Sequence, residues 1–215
     1  MSEIVIYGFG GATYPWSAIF ACAEKGVPYS LESPEFKSDE YRGERHPYSK
    51  MPALQHGDFK LYETTAIIRY LDAAFEGPAL VPSDPVLLGR MEQILSLIKS
   101  YAYEDFVPGY LLQYLFPKGE NGALDRAAID EAIPKVTYHL DNLEALIDDA
   151  PFAIGETLTM ADIFLGPLIH YLDFTPEGGA HLKTLSKLSA LLVTLRTRQA
   201  FKATMPPPPK LAEAA

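Results

Sequence analysis

The chain has 215 residues, 48% of them hydrophobic, and a formal charge of −10, enough for one large globular domain or two smaller ones. The negative balance argues against nucleic acid or an anionic membrane as partner, since both need a basic face. A single cysteine, Cys22, excludes an intrachain disulfide, a CxxC redox pair and a thiolate zinc cluster. No apolar run reaches the roughly 18 residues of a membrane helix, and the short run in "MSEIVIYG" is no signal-peptide core. The expectation is a soluble cytoplasmic protein whose partner is a small molecule or another protein.

In chain order, residues 3–8, "EIVIYG", are short and β-branched and end at glycine, as a buried strand does. Trp16, Ile19, Phe20 and Ala23 then recur at helical spacing between Tyr14 and Lys25, with Gly26 as a stop. "VPYSLES" reads as a second strand, followed by a polar stretch expected to be loop with at most one helical turn. "PALQHGDFKLYE" reads as a hairpin with runs at 53–55 and 59–62. Thr64 opens a helix whose Ile67, Ile68, Leu71, Ala74 and Phe75 share one face, ending near Gly77. The first half therefore reads β-α-β followed by β-β-α.

The proline- and glycine-rich "EGPALVPSDPVLLG" separates this mixed half from an all-helical one. The expected domains are 1–78 and 87–215, joined by a linker at 79–86. Five helices are expected in the second half, over 86–116, 124–149, 159–172, 182–191 and 192–203. In "GETLTMADIFLGPLI", Thr159 and Asp162 form a capping-box pair, with Leu158 and Ile163 as the hydrophobic staple. Asp162 is a folding signal in this reading, not a catalytic acid. The prolines of "MPPPPKLAEAA" forbid helix and suggest an ordered strap with a loose end.

"SKMPALQHGDFKLYETTAIIRYLD" carries the recognition chemistry. Proline keeps Met51 out of the helical region and favours a cis bond at Pro52, leaving the Met51 backbone as an edge on which an extended peptide can pair. Glu63 and Thr64 stand where a strand meets a helix N-terminus, a place whose N–H groups bind carboxylates. The Thr64 hydroxyl adds a donor, and Glu63 can hold an ammonium. Together they describe a pocket for the amino-acid end of a peptide.

On these residues, and on "EKGVPY", "LYETTAIIRYL" and "GETLTMADI" in this order, the chain resembles the cytosolic glutathione transferase superfamily along nearly its whole length. The resemblance implies a thioredoxin-like N-terminal domain, an all-α C-terminal domain, homodimerisation, and glutathione as co-substrate with no metal. By position, Met51 would pair with the cysteinyl unit, Pro52 would be the cis-proline, and Glu63 and Thr64 would hold the γ-glutamyl end. Lys50 or Arg42 would take the glycyl carboxylate, with plain solvated charge as the alternative for both.

A transferase of this kind stabilises the glutathione thiolate with a hydroxyl and the positive end of the first helix, because a free thiol has a pKa near about 8.5. Many relatives carry a serine fourteen residues before the glycine of "EKG"; here that position is Ala12. The candidates are then the adjacent Thr13, followed by Tyr14, Tyr7, Ser17, or backbone amides alone. Ser17 also stands where relatives often have arginine. Trp16 and Phe20 read as core or pocket wall, with Trp16 a candidate contact for the electrophile, and Cys22 reads as an inert buried thiol.

"SYAYEDFVPGYLLQYLF" places Tyr101, Tyr103, Phe106, Tyr110 and Tyr114 on one long helix. By family position, Tyr101 and Tyr103 would bind a small hydrophobic electrophile, with interdomain packing as the alternative. The five histidines are scattered and suggest no metal site. The implied activity is conjugation of glutathione to such an electrophile. A transferase-fold binding or regulatory protein without catalysis is the alternative that Ala12 motivates. A glutaredoxin-like reductase is disfavoured because the turn has no cysteine.

Overall fold

The computed structural model describes residues 3–212. Two compact units emerge: residues up to Ser83 together with Arg196–Pro207, and Asp84–Leu195 with the segment from Pro208 onward. Residues 196–207, in the stretch expected to belong to the helical domain, group with the first unit.

The first unit is a four-stranded mixed sheet in the order β2-β1-β3-β4. Strand β1 (Ile4–Tyr7) pairs parallel with β2 (Tyr29–Glu32) and antiparallel with β3 (Ala53–His56), which turns through Gly57 and Asp58 into β4 (Phe59–Tyr62). Side chains alternate along β1. Ile4 and Ile6, buried to 1% and 0% exposure, point to one face, while Val5 and Tyr7 join Phe36, Tyr41 and Ala53 on the other. The polar stretch after β2 forms the short helix α2 (Asp39–Glu44), capped by Ser38, whose hydroxyl accepts the Tyr41 N–H.

Helices α1 (Thr13–Glu24) and α3 (Thr64–Ala74) complete the expected pattern. Beyond α1, the Lys25 ammonium is buried and donates to Asp72 at 3.0 Å and to the Pro78 carbonyl at 3.1 Å. Asp72 also accepts the Leu80 and Val81 amides, so one ion pair ties the end of α1 to α3 and to the segment leaving it. Gly77 is needed in that segment: its φ is +119°, and a Cβ there would stand 2.8 Å from the Lys25 carbonyl oxygen. Helix α10 (Gln199–Thr204) packs on α1 from far along the chain. The Phe201 ring lies 4.9 Å from Trp16 and 5.2 Å from Phe20, the Trp16 indole donates to Thr204 Oγ1, and Arg198 makes a two-pronged ion pair with Glu24.

In the second unit the single helix expected over 86–116 is broken into segments. Helix α4 (Pro85–Leu97), capped by Asp84, passes into π-helical turns at Ile98–Ala102 and Asp105–Leu111 before the short α5 (Leu112–Leu115). Pro108 explains the second widened turn, since it has no N–H and its ring clashes with the preceding turn of an α-helix. Nothing in the local sequence accounts for the first. Helix α6 (Arg126–Leu146) follows, then α7 (Met160–Leu172), all of whose residues are buried. The Thr159 and Asp162 capping box is formed as expected.

The last helices differ from expectation. The chain forms α8 (Pro176–Leu182) and α9 (Ser186–Thr197) before α10, in place of helices at 182–191 and 192–203. Gly178 and Gly179 lie outside every helix expected from the sequence, yet they sit inside α8. A Cβ on Gly178 would lie 2.5 Å from Thr175 Oγ1, and one on Gly179 2.5 Å from the Asp173 carbonyl oxygen, so only glycine fits. Glu177 on α8 accepts hydrogen bonds from the Tyr110 and Tyr114 hydroxyls and from Arg126. Residues 206–212 are non-helical, and the Ala212 amide donates to the Tyr114 carbonyl at 2.9 Å, as an ordered strap would. The loose end expected of it falls on residues 213–215, outside the described residues. Among the described residues, no helix is long and apolar enough to cross a membrane.

Candidate functional site

The hairpin register builds the first part of the site. Ala53 pairs with Tyr62, so the residues just before β3 lie beside those just after β4. Met51–Pro52 therefore neighbours Glu63–Thr64. The Met51–Pro52 peptide bond is cis. Among the described residues the Met51 backbone N–H and C=O pair with nothing, which leaves an edge that an extended ligand can extend. Glu63 holds φ +75° and ψ +117°, a conformation that costs a non-glycine residue about 1–3 kcal/mol and that accumulates at functional sites. Its side chain is 65% exposed and does not cap α3, so the helix start faces outward with a carboxylate beside it. Thr64, the first residue of α3, is 7% exposed.

The two cationic candidates differ. Arg42 is already engaged, donating to Asp39 at 2.9 Å and to the Ser49 hydroxyl at 3.3 Å. The Lys50 ammonium is exposed and has no partner among the described residues, while its carbonyl is fixed by the Tyr41 hydroxyl at 2.8 Å. Of these two side chains, Lys50 is the one without a hydrogen bond or ion pair among the described residues. Sequence reasoning missed His46, which lies between these groups at 2% exposure, its Nε2 3.9 Å from Glu63. The only signal for it was its place four residues before Lys50 in "HPYSK".

The hydroxyls around the glycine-rich turn into α1 differ in what they already bond. Tyr7 is spoken for: its hydroxyl donates to Gln55 Oε1 at 3.1 Å, and Arg45 lies over its ring. Ser17 is buried and donates to the Thr13 carbonyl at 3.1 Å, a bond within its own helix. Ala12 is the N-cap and offers no side chain to the first turn, whose amide N–H groups are those of Thr13 and Tyr14 because Pro15 has none. Thr13 is 4% exposed and its hydroxyl has no hydrogen-bond partner among the described residues. A buried hydroxyl without a partner costs about 1–3 kcal/mol, so Thr13 stands at this helix start with a donor still to be used. Tyr14 is half-buried beside it.

Trp16 requires a correction. It has no exposed surface, and its indole N–H is bonded to Thr204 at 3.1 Å, so it is a core residue and cannot serve as a wall for a bound electrophile. Cys22 is buried, and burial pushes its thiol up to about 12, as suits an inert side chain.

In the second unit, the aromatic series divides by exposure. Tyr101, in the first π-helical turn, is 67% exposed and Tyr103 is half-buried, whereas Phe106, Tyr110 and Tyr114 are core. Among the described residues no group of three or more His, Cys, Asp or Glu could hold a metal ion.

Residues 6–79 match the family model for the glutathione S-transferase N-terminal domain, and residues 126–211 match that for the glutathione S-transferase C-terminal domain. A glutathione S-transferase of Arabidopsis thaliana is 28% identical over 86% of this chain and 88% of its own. A probable maleylacetoacetate isomerase of Drosophila melanogaster is 27% identical over 94% of this chain and 81% of its own. Among solved structures, a theta-class glutathione S-transferase from Xanthomonas axonopodis pv. citri, with glutathione bound, superposes with a TM-score of 0.78 at 25% identity, covering 96% of this chain and 99% of that one.

Proposed function

Because the chain belongs to the cytosolic glutathione S-transferase superfamily, we propose that it is an active transferase that conjugates glutathione to small hydrophobic electrophiles. The observation that carries this reading is the unpaired Met51 edge lying beside the uncapped start of α3 at Glu63–Thr64. An extended tripeptide pairs its cysteinyl unit with Met51 there, places its α-ammonium at Glu63 and its α-carboxylate at the α3 amides and the Thr64 hydroxyl. Its glycyl carboxylate meets the unpaired Lys50.

Thr13 is the proposed thiolate donor, with Tyr14 as the second candidate. Its hydroxyl, which bonds no protein group among the described residues, donates to the sulfur, and the positive end of α1 adds to the field. Both effects favour the anion, so the thiol proton passes to solvent at a lower pH. The thiolate then attacks the electrophilic carbon: a C–S bond forms, and the leaving group departs with the electron pair of the bond that breaks. Tyr101 and Tyr103 are proposed to contact the electrophile. The family's usual homodimer belongs to the same proposal, and sedimentation of the purified chain checks it.

Ala12 at the cap and the burial of Thr13 favour one second reading, a binding protein without turnover. Calorimetric titration with glutathione and conjugation of a generic aromatic halide separate the two. Binding with turnover supports the transferase. Binding without turnover on a panel of electrophiles supports the second reading, and absence of binding removes both.

A further inference from the structure

His46 is buried and held from several sides. Its main-chain N–H donates to the Tyr41 carbonyl at 3.1 Å, and its carbonyl accepts from Ser49, whose φ is +52°. The Tyr48 amide donates to Nδ1 at 3.3 Å, which leaves the proton of the neutral ring on Nε2. Nε2 faces a carboxylate oxygen of Glu63 at 3.9 Å. The ring lies 4.8 Å from that of Tyr62, the strand residue immediately before Glu63. One side chain therefore touches both arms of the candidate site: the turn leading to Lys50, Met51 and Pro52, and the junction bearing Glu63 and Thr64.

We propose that His46 is a positioning residue for glutathione, holding the two arms in register and, in its neutral form, leaving the Glu63 carboxylate to the ligand's ammonium. The inference rests on the reading that Glu63 receives that ammonium. Protonation of the ring undoes the arrangement in two ways. A charged imidazolium competes with the ligand ammonium for Glu63, and the new proton on Nδ1 confronts the Tyr48 N–H that Nδ1 accepts in the neutral state.

The groups around the ring set where this happens. Burial lowers the imidazole below its ordinary value, Glu63 opposes that, and Lys50 reinforces it. The Tyr48 and Tyr62 rings are its other ionisable neighbours, and α2 presents the Tyr41 carbonyl to its main-chain N–H. Ligand binding neutralises Glu63 and so removes the one influence that favours the charged ring. Affinity must therefore fall as the pH drops below the ordinary imidazole range.

The test is calorimetric binding of S-methylglutathione, which has no thiol to titrate, between about pH 5 and pH 7, where its ammonium and carboxylates keep their charges. The wild-type chain should lose about threefold to tenfold in affinity over that window, the scale of one competing charge at a partly exposed carboxylate. His46→Gln keeps an N–H able to face Glu63 but takes up no proton, and should stay within about twofold across the window. His46→Phe keeps the ring beside Tyr62 and loses both nitrogens; with an unchanged circular-dichroism melt, it should bind about threefold to tenfold more weakly at pH 7. A His46→Gln profile that falls with acid as the wild type does overturns the proposal. A folded His46→Phe that binds like wild type also overturns it, and the Gln arm stands alone where Phe does not fold. Wild-type chain that fails to bind at any pH removes the glutathione reading itself.

Discussion

Thr13→Val is the most informative single change, because its effects on stability and on chemistry have opposite signs. Valine fills nearly the same volume and removes a hydroxyl that is 4% exposed and has no partner among the described residues. Relief of that unmade hydrogen bond is worth up to about 1–3 kcal/mol, or about 2–4 °C of melting temperature per kcal/mol for a chain of this size. The same hydroxyl, once it donates to a thiolate, forms a charge-assisted bond worth about 1.5–3 kcal/mol. At about 1.36 kcal/mol per pKa unit, its loss raises the apparent thiol pKa by about 1–2 units. Conjugation of an aromatic halide by Thr13→Val, followed as kcat/KM from pH 6 to pH 10, should then fall about tenfold to a hundredfold on the acid limb and recover in base. Thr13→Ser should restore the wild-type profile. A Thr13→Val protein that melts lower than wild type with an unmoved acid limb refutes the assignment, since the hydroxyl would then be structural.

Lys50→Ala should weaken glutathione binding about threefold to tenfold by calorimetry, whereas Arg42→Ala, whose guanidinium already serves Asp39 and Ser49, should change it less than twofold. Asp72→Ala strands the buried Lys25 ammonium and should cost about 3–5 kcal/mol in urea unfolding, a loss that Asp72→Asn partly recovers because it still accepts an amide. Trp16→Phe removes the indole bond to Thr204 and should cost about 1 kcal/mol without altering KM for any electrophile. At Glu177, burial pushes the carboxyl up, but hydrogen bonds from Tyr114, Arg126 and Tyr110 prevail and hold it at about 2, below its ordinary 4.5. A carboxyl depressed in the folded state stabilises above its unfolded pKa and loses that contribution as pH falls through its folded one. Acid melts should therefore lose stability between about pH 4.5 and pH 2, and Glu177→Gln should flatten that limb.

What was legible in the sequence was whatever local chemistry decides. Alternating β-branched residues, the "QHGDF" turn, the proline before β3 and the capping pair at Thr159 each fix their own backbone, and each matches the element found. Where a distant contact decides, the sequence was silent or misleading. Gly178 and Gly179 lie outside the expected helices, and their place in α8 makes sense once the Thr175 hydroxyl and the Asp173 carbonyl are seen to occupy the space a Cβ would need. Trp16 sits on a helix beside the candidate site, and only its bond to Thr204, 188 residues away, shows it turned into the core. His46 has no periodicity of its own. Its meaning comes from Glu63, brought near by the hairpin register.

The return of α10 to α1 bears on how the protein is made. During synthesis the whole sheet and both of its long helices emerge well before Phe201 and Thr204, so the Trp16 and Phe20 rings must wait for nearly the entire chain before their pocket closes. Sequence separations of this kind slow folding and leave apolar surface uncovered in the nascent chain. A gene fragment ending at Ser83 would encode every strand yet lack the aromatic lid of α1, and should come off the ribosome as an aggregating species. The first unit is thus a module in space but not in the reading frame, and cannot be exchanged between proteins by cutting at the linker alone.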